Sequence, residues 1–235
     1  MIKNKISGEY AKKGEYHKKL SKKWRYYPIY VEKMKFIKDF LNKLPKNCKI
    51  LDVGCGEGLL VEEFSKKGYN IIGLDLNYSS KYVKKGNLLK MPFKDDSFDL
   101  ILCLDVLEHL SVSDQPIALA EIKRVLKKNG RFILAIPNLA HFASRISFLF
   151  TGRLIRTSEI ERHPGDRPVK EYISLLKKNN LKIIKRKGLF PTFPLVSLLT
   201  YFIPSRSLWL HKIENIFFAF PEICFLDIFV CSKIK

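Results

Sequence analysis

Lys49-Ile50-Leu51-Asp52-Val53-Gly54-Cys55-Gly56-Glu57-Gly58-Leu59-Leu60 is the stretch around which this 235-residue chain is organised. It opens with a short apolar run that is typical of a buried strand. Glycines then occupy positions 54, 56 and 58, and a helical pattern begins at Leu59. Strand, glycine turn and helix together predict a nucleotide-binding loop, because a backbone without side chains can approach a ligand closely.

The charges around this loop narrow the choice of ligand. No Gly-Lys-Ser/Thr follows the glycines, which argues against a phosphate-binding P-loop. The acids Asp52 and Glu57 favour a ligand that carries an amino group or a sulfonium over a pyrophosphate. Asp75 follows the next apolar run, about 20 positions on, where a ribose-binding acid is expected.

A family resemblance rests on these residues and on the motifs that follow them. Residues 50–60 resemble the first motif of the class I S-adenosylmethionine-dependent methyltransferases, and Asp75 matches their ribose-binding acid. Residues 86–99, 100–110 and 122–138 resemble later motifs, so the likeness covers about residues 48–140 and extends to the small-molecule and quinone-biosynthesis O-methyltransferases. It implies an α/β fold with a Rossmann-like doubly wound sheet. The sheet is mostly parallel with an antiparallel last strand, helices cover both faces, and an N-terminal helical extension and a C-terminal lid are added.

The same resemblance implies S-adenosyl-L-methionine as cofactor and S-adenosyl-L-homocysteine as product. Asn87 stands where the family usually has an adenine-binding Asp, and an amide still hydrogen-bonds adenine. Arg25 is expected to pair with the methionine carboxylate, with a surface arginine beside an aromatic patch as the alternative. The expected cofactor contacts are Arg25, Asp52, Gly54, Cys55, Gly56, Asp75, Leu76, Asn87, Leu88 and Cys103.

Methyl transfer from a sulfonium needs alignment, a dry pocket and, for a hydroxyl acceptor, a base. His109, His141 and His163 are the candidates, and His109 is the predicted catalytic residue because it follows the fourth strand. A structural role for that histidine remains the alternative. Asp105, Glu108 and His109 form a D-x-x-E-H run that resembles metal-binding runs in some relatives. Three ligands on one element do not complete a metal shell, so no metal is predicted.

The charge, the cysteines and the apolar runs of the sequence bear on which partners the chain can bind. The formal net charge is +20, and residues 1–49 hold 15 Lys or Arg against 4 acids. A solvated basic face is the favoured interpretation, and nucleic acid, anionic lipid or an anionic substrate remain alternatives. Five cysteines without metal spacing predict reduced thiols in a cytoplasmic protein. No apolar run is long enough to span a membrane, although peripheral membrane contact stays open. The oligomeric state is not predicted.

The chain is expected to divide into a basic N-terminal helical cap, residues 1–45, and a methyltransferase domain, residues 46–235. Substrate-lid insertions are predicted at about 138–168 and 189–222, the second apolar on its inside. Helices are predicted at 31–44, 58–67, 115–126 and 169–176, with an inserted helix within 138–157. Strands are predicted at 49–53, 70–75, 82–84, 98–104, 131–136, 181–187 and 225–232.

The functional prediction is methyl transfer to a small-molecule or lipid-precursor acceptor, at oxygen. An RNA methyltransferase is one alternative, and it rests on net charge alone. A methyltransferase fold that binds the cofactor or a partner without catalysis is the other. The sequence does not identify the acceptor, because lids and termini build the acceptor pocket in this fold.

Overall fold

The structure is a computed structural model, and it describes residues 20–234. Residues 1–19 of the predicted N-terminal cap therefore lie outside the described residues. The helices are α1 Tyr27–Leu41, α2 Leu59–Lys66, α3 Asp114–Val125, α4 Phe142–Thr151, α5 Val169–Lys178, α6 Pro194–Phe202 and α7 Leu208–Phe217, with a short 3-10 helix at Leu107–His109. The strands are β1 Ile50–Val53, β2 Ile71–Asp75, β3 Val83–Lys85, β4 Phe98–Leu104, β5 Leu126–Pro137, β6 Leu181–Leu189 and β7 Leu226–Lys233.

One seven-stranded sheet carries the fold, in the order β3-β2-β1-β4-β5-β7-β6. The strands β1 to β5 pair in parallel, whereas β7 lies antiparallel between β5 and β6. The order reverses between β1 and β4, which is the switch point where doubly wound sheets bind their ligands. The predicted Rossmann-like fold with an antiparallel last strand is confirmed.

Helices cover both faces of the sheet because strand residues alternate between two cores. On one face Leu51 and Val53 pack in a cluster with residues of α3 and α5. On the other face Ile50 packs with Ile37 of α1 and with α2. The predicted arrangement of helices on both faces is therefore correct.

Two element boundaries differ from the prediction by four residues or more. Helix α1 begins at Tyr27 rather than at residue 31, because Pro28 occupies the first turn, where its missing N–H costs nothing. Strand β5 begins at Leu126, immediately after α3, although the strand is predicted to begin at residue 131. Leu126 pairs with Phe98 ahead of a register shift in the ladder, and this pairing draws the segment into the sheet.

The second predicted lid contains α6 and α7, and its polarity is opposite to the prediction. The buried residues of these helices are Thr200, His211 and Glu214, while most of their large apolar side chains are exposed. The reason is a polar network: His211 Nε2 lies 2.5 Å from Thr200 Oγ1, and His211 Nδ1 lies 3.0 Å from Glu214 Oε2. Because these polar side chains hydrogen-bond to one another in the interior, the apolar faces of α6 and α7 point outward. None of the helices within residues 20–234 is long and apolar enough to cross a membrane.

Candidate active site

The glycine loop follows β1 at the switch point of the sheet. Gly54 has a φ of +66°, and its N–H donates to the carbonyl of Leu74 at 2.7 Å. A Cβ on Gly54 would lie 2.5 Å from Cγ2 of Val106. Gly56 also has a positive φ, but within the described chain no atom lies within 4 Å of the position of a Cβ there. The loop therefore presents open backbone at the carboxyl edge of the sheet.

Asp75 ends β2 beside this loop. Its Oδ2 accepts a hydrogen bond from Gly56 N at 2.8 Å, and its Oδ1 accepts from Asn77 N at 2.8 Å. These bonds fix the carboxylate at the strand end and tie it to the glycine loop. Leu76 follows with 37% of its surface exposed, so it offers an apolar surface next to that acid.

Asp52 lies on β1 and is almost completely buried. Burial raises the pKa of its carboxyl to about 7, and the nearby charge of Asp75 raises it further, whereas Lys33 opposes the shift. A carboxyl group that titrates near neutrality beside an open glycine loop is suited to a cationic ligand.

Lys33 is a site residue that the sequence analysis missed. It is buried on α1 and forms an ion pair with Asp105, which follows the end of β4. The backbone of Asp105 has a φ of +54°, an uncommon conformation that Asp tolerates better than most residues. A sequence signal existed, because Lys33 shares the spacing of the buried residues Ile37 and Leu41 on α1. A lysine in such a row predicts a charged partner.

A cavity of about 460 Å³ is lined in part by Lys33 and Asp105. It is enclosed by the N-terminal end of α1, the 3-10 helix after β4, the segment 157–163 and the start of β7. The residues that line it are Trp24, Arg25, Tyr26, Ile29, Tyr30, Lys33, Asp105, Glu108, His109, Pro137, Thr157, Ser158, Glu159, Arg162, His163, Phe225 and Leu226. The aromatic residues at 24–30 pack as expected, since Tyr26 stacks on Phe225 with 5.7 Å between ring centroids.

His109 lines this cavity, and its orientation is fixed by a backbone group. Its Nδ1 lies 2.9 Å from the carbonyl oxygen of Arg162. A carbonyl only accepts hydrogen bonds, so Nδ1 carries the proton and Nε2 is the basic nitrogen of the neutral ring. Burial lowers the pKa of His109, and the neighbouring His163 lowers it further. The ring is therefore neutral near pH 7 and able to accept a proton.

The other two histidines differ in their positions. His163 lies beside His109 with 4.5 Å between ring centroids, and its Nδ1 is 2.8 Å from Thr157 Oγ1. His141 is buried elsewhere, and its Nδ1 accepts from Ser144 N at the start of α4. Burial lowers the pKa of His141 to about 4. The structure thus brings His109 and His163 together and gives His141 a capping position.

The side chains of the D-x-x-E-H run have separate surroundings in the structure. Asp105 pairs with Lys33, and Glu108 is buried with a pKa held well above its usual range by burial and by Asp105. Within residues 20–234, no three His, Cys, Asp or Glu side chains are placed to hold a metal ion.

Several expected cofactor contacts have distinct surroundings. Cys103 is one of the expected cofactor contacts, and its side chain is fully buried in the core. It is the sixth residue of β4, and Asp105 is the first residue beyond the strand. Leu88 is buried in the same cluster, and the thiol of Cys55 packs against the sheet, close to Gly73. Asn87 is exposed, and its Oδ1 accepts from Leu89 N at 2.9 Å.

Arg25 occupies the cavity wall rather than the glycine loop. Its guanidinium carbon lies 4.7 Å from the centroid of the Tyr26 ring. This stacking holds the charge at the mouth of the cavity, near the side chains of the N-terminal end of α1.

The carboxylates at the edge fit a cofactor that carries an ammonium, a sulfonium and ribose hydroxyls. Three acids, Asp52, Asp75 and Asp105, lie at the ends of neighbouring strands. Among the described residues, Oε2 of Glu57 is a buried oxygen that has no hydrogen-bond partner. A buried acceptor of this kind is available to a donor from a ligand.

Comparison with known proteins decides the family. Residues 51–134 match the model of a methyltransferase domain. Over 183 residues the chain is 32% identical to a ubiquinone biosynthesis O-methyltransferase of Pelagibacter ubique, covering 69% of this chain and 75% of that protein. The chain belongs to the class I S-adenosylmethionine-dependent methyltransferases. It is an enzyme of that class, and S-adenosylmethionine is its cofactor.

Solved structures of methyltransferases share this fold. A methyltransferase from Methanosarcina mazei matches with a TM-score of 0.56 and 17% identity, covering 83% of this chain and 97% of the other. The 1,6-didemethyltoxoflavin-N1-methyltransferase of Burkholderia thailandensis matches with a TM-score of 0.51 and 15% identity, covering 81% of this methyltransferase and 72% of the other chain. That structure contains bound 1,6-didemethyltoxoflavin and S-adenosylhomocysteine.

Proposed function

We propose that this methyltransferase methylates a hydroxyl oxygen of a small phenolic acceptor, bound in the 460 Å³ cavity, with His109 as the general base. The observation that carries the proposal is the hydrogen bond from His109 Nδ1 to the carbonyl of Arg162. It leaves Nε2 as the proton acceptor on a cavity-lining residue. The name of the Pelagibacter relative supports an oxygen acceptor.

The cavity walls support an aromatic acceptor. Tyr26, Tyr30 and Phe225 contribute rings, and aromatic rings pack well against one another. Lys33 and Arg25 add positive charge, which favours the phenolate that forms as the proton leaves. The acceptor is thus a flat, partly apolar compound with an ionisable hydroxyl.

The proposed cofactor contacts follow the strand ends. Asp75 accepts from the ribose hydroxyls, and the carboxylate form of Asp52 faces the ammonium of the methionine part. The backbone at Gly54 and Gly56 contacts that part, and Arg25 pairs with its carboxylate. Leu76, Leu88 and Asn87 form the adenine side.

Methyl transfer requires few functional groups from the protein. When bound, S-adenosylmethionine supplies a methyl group that is already activated. The side chains align the acceptor oxygen and exclude water, and His109 Nε2 takes the hydroxyl proton. Because the pKa of His109 is lowered, the ring is in its basic form at neutral pH.

The test is transfer of a labelled methyl group to a panel of phenols, with catechol as the first probe. We expect His109→Gln to lower kcat by roughly 10²–10⁴-fold while S-adenosylhomocysteine affinity is unchanged. The wild-type rate should rise with pH through a pKa below the ordinary histidine value of about 6.5, and the variant should lose this step.

Arg162→Ala is the matched control, because it keeps the backbone carbonyl that orients His109. It should retain the pH step, whatever its effect on KM. Full activity in His109→Gln would exclude His109 as the base. Absence of transfer to every phenol, with normal S-adenosylhomocysteine binding, would exclude the acceptor class but not the cofactor site.

A further inference from the structure

The apolar faces of α6 and α7 point outward, which is an unusual feature of the molecule. Leu195 and Phe202 on α6 are 78% and 71% exposed. Trp209, Ile216, Phe217 and Phe220, on or just after α7, are 60% to 74% exposed. Contiguous apolar surface of this kind is rare on a monomer unless something covers it.

The packing beneath this apolar surface keeps it facing outward. Residues 195, 198, 199 and 202 have the i, i+3, i+4, i+7 spacing of one helical stripe, and all of them are exposed. The opposite side of the helix pair holds the buried Thr200–His211–Glu214 network. Because those polar groups satisfy each other inside, the helices cannot turn their apolar stripes inward without leaving the polar groups unpaired.

Helix α4 extends the same surface. Phe142 at its start contacts Phe193, and Phe193 contacts Phe218, each pair with 5.5 Å between ring centroids. Leu149 and Phe150 near the end of α4 are 77% and 80% exposed. We call the exposed apolar side chains of α4, α6 and α7 the apolar lid surface.

The charges along the segments that carry this surface are mostly positive. Segment 141–158 contains three arginines and no acid, and segment 190–221 contains Arg206, Lys212 and a single acid, Glu214. Glu214 is buried against His211, whereas Arg153, Arg206 and Lys212 are exposed. The exposed acids Glu159 and Glu222 lie only at the ends of these two segments. An apolar surface bordered mainly by exposed cations complements a layer of apolar chains with anionic head groups.

We infer that the apolar lid surface docks this methyltransferase onto an anionic lipid bilayer. A second copy of the chain is a poorer occupant, because a symmetric contact would oppose the cations of one protomer to those of the other on a protein of net charge +20. Trp209 lies on the apolar lid surface, where an amphipathic ring suits the head-group layer. The docking is peripheral and needs no spanning helix.

The first test uses the full chain and vesicles of equal parts phosphatidylglycerol and phosphatidylcholine. The chain has two tryptophans, so Trp24→Phe leaves Trp209 as the only emitter. We expect a blue shift of Trp209 emission on mixing, quenching by brominated acyl chains, and co-sedimentation that weakens at high salt. Vesicles of phosphatidylcholine alone should bind at least about tenfold more weakly.

The second test is a variant of the apolar lid surface itself. Phe202→Glu with Phe217→Glu should lower vesicle affinity at least about tenfold, with circular dichroism and S-adenosylhomocysteine affinity unchanged. Val112→Glu with Ile184→Glu is the matched control, since both residues are about half exposed, at 54% and 53%, outside this surface. The control should bind vesicles like the wild type.

Three outcomes would overturn the inference. Unchanged vesicle binding by the Phe202→Glu and Phe217→Glu variant would assign the binding to basic residues elsewhere. Equal binding to neutral vesicles would remove the role of the cations. A wild-type dimer that dissociates in the variant, without vesicle binding, would assign the surface to a second copy of the chain.

Discussion

At the residue scale, we expect Asp52 to link the pH to both stability and cofactor binding. Its pKa of about 7 in the folded chain lies above its ordinary value of 3.8, so the folded state holds a proton that the unfolded chain releases. The stability from this group is present at low pH and is lost as the pH rises from about 4 to about 7. In the folded chain the carboxylate forms as the pH rises through about 7, and it is the species that attracts a cation.

We therefore expect S-adenosylhomocysteine to bind more tightly as the pH rises through 7. The gain should be about tenfold between the two ends of the transition, the magnitude of a hydrogen bond to a charged partner. Calorimetric titration at several pH values measures it, and Asp52→Asn should bind with little dependence on pH.

Asp227→Asn is the control for this experiment. Burial also raises the pKa of Asp227 to about 7, but this residue pairs with Arg186 on β6 and lies away from the glycine loop. Its variant should keep the pH dependence of the wild type. A flat profile in the wild type, or an unchanged profile in Asp52→Asn, would separate Asp52 from the cofactor.

At the element scale, the glycine loop is constrained by its left-handed backbone conformation and by steric contact. Substitutions at Gly54 and Gly56 separate these two effects. Gly54→Ala forces an alanine into the left-handed backbone conformation and places its Cβ 2.5 Å from Val106 Cγ2. Gly56→Ala adds the conformational strain alone, because no described atom approaches its Cβ position. We expect losses of about 2–4 kcal/mol for Gly54→Ala and about 1–2 kcal/mol for Gly56→Ala in urea unfolding.

The double variant Gly54→Ala with Val106→Ala tests the steric part of this argument. Removing the two methyl groups of Val106 should recover part of the loss in Gly54→Ala, and the positive φ should account for the remainder. Equal destabilisation by Gly54→Ala and Gly56→Ala would mean that the loop moves away from Val106 at little cost.

At the scale of the whole molecule, cofactor binding should stabilise the complete sheet. At a ligand concentration of about 100 Kd the gain is about 2.7 kcal/mol, which corresponds to roughly 5–10 °C in Tm for a domain of this size. We expect S-adenosylhomocysteine to raise the Tm of the wild type by this amount and to leave that of Asp75→Ala unchanged.

Asp99→Ala is the matched control for that measurement. Asp99 is the second residue of β4 and accepts hydrogen bonds from Lys49 N and Lys127 Nζ, so it lies at the amino-terminal edge of the sheet, opposite the glycine loop. Its loss should lower the Tm without reducing the shift caused by the ligand. An undiminished shift in Asp75→Ala would place the ribose elsewhere.

Much of the fold could be predicted because its signals are local. The strand at residues 50–53, the glycine turn and the following helix occupy one continuous stretch, and β4 has the predicted bounds, Phe98–Leu104. The alternation of strands and helices then limited the topology to a doubly wound sheet. The start of β5 was misjudged because the pairing of Leu126 with Phe98 across 28 positions has no local signature.

The sequence by itself determined the family, the cofactor and the carboxylates of the ligand edge, because strand periodicity and glycine chemistry act between near neighbours. Only the tertiary structure decided which histidines line the cavity and which tautomer His109 adopts, since Arg162 lies 53 positions from His109. It also decided the ion pair of Lys33 with Asp105 and the outward apolar faces of α6 and α7. Each of these depends on pairing buried polar groups across the fold, and such pairing leaves little trace in local sequence.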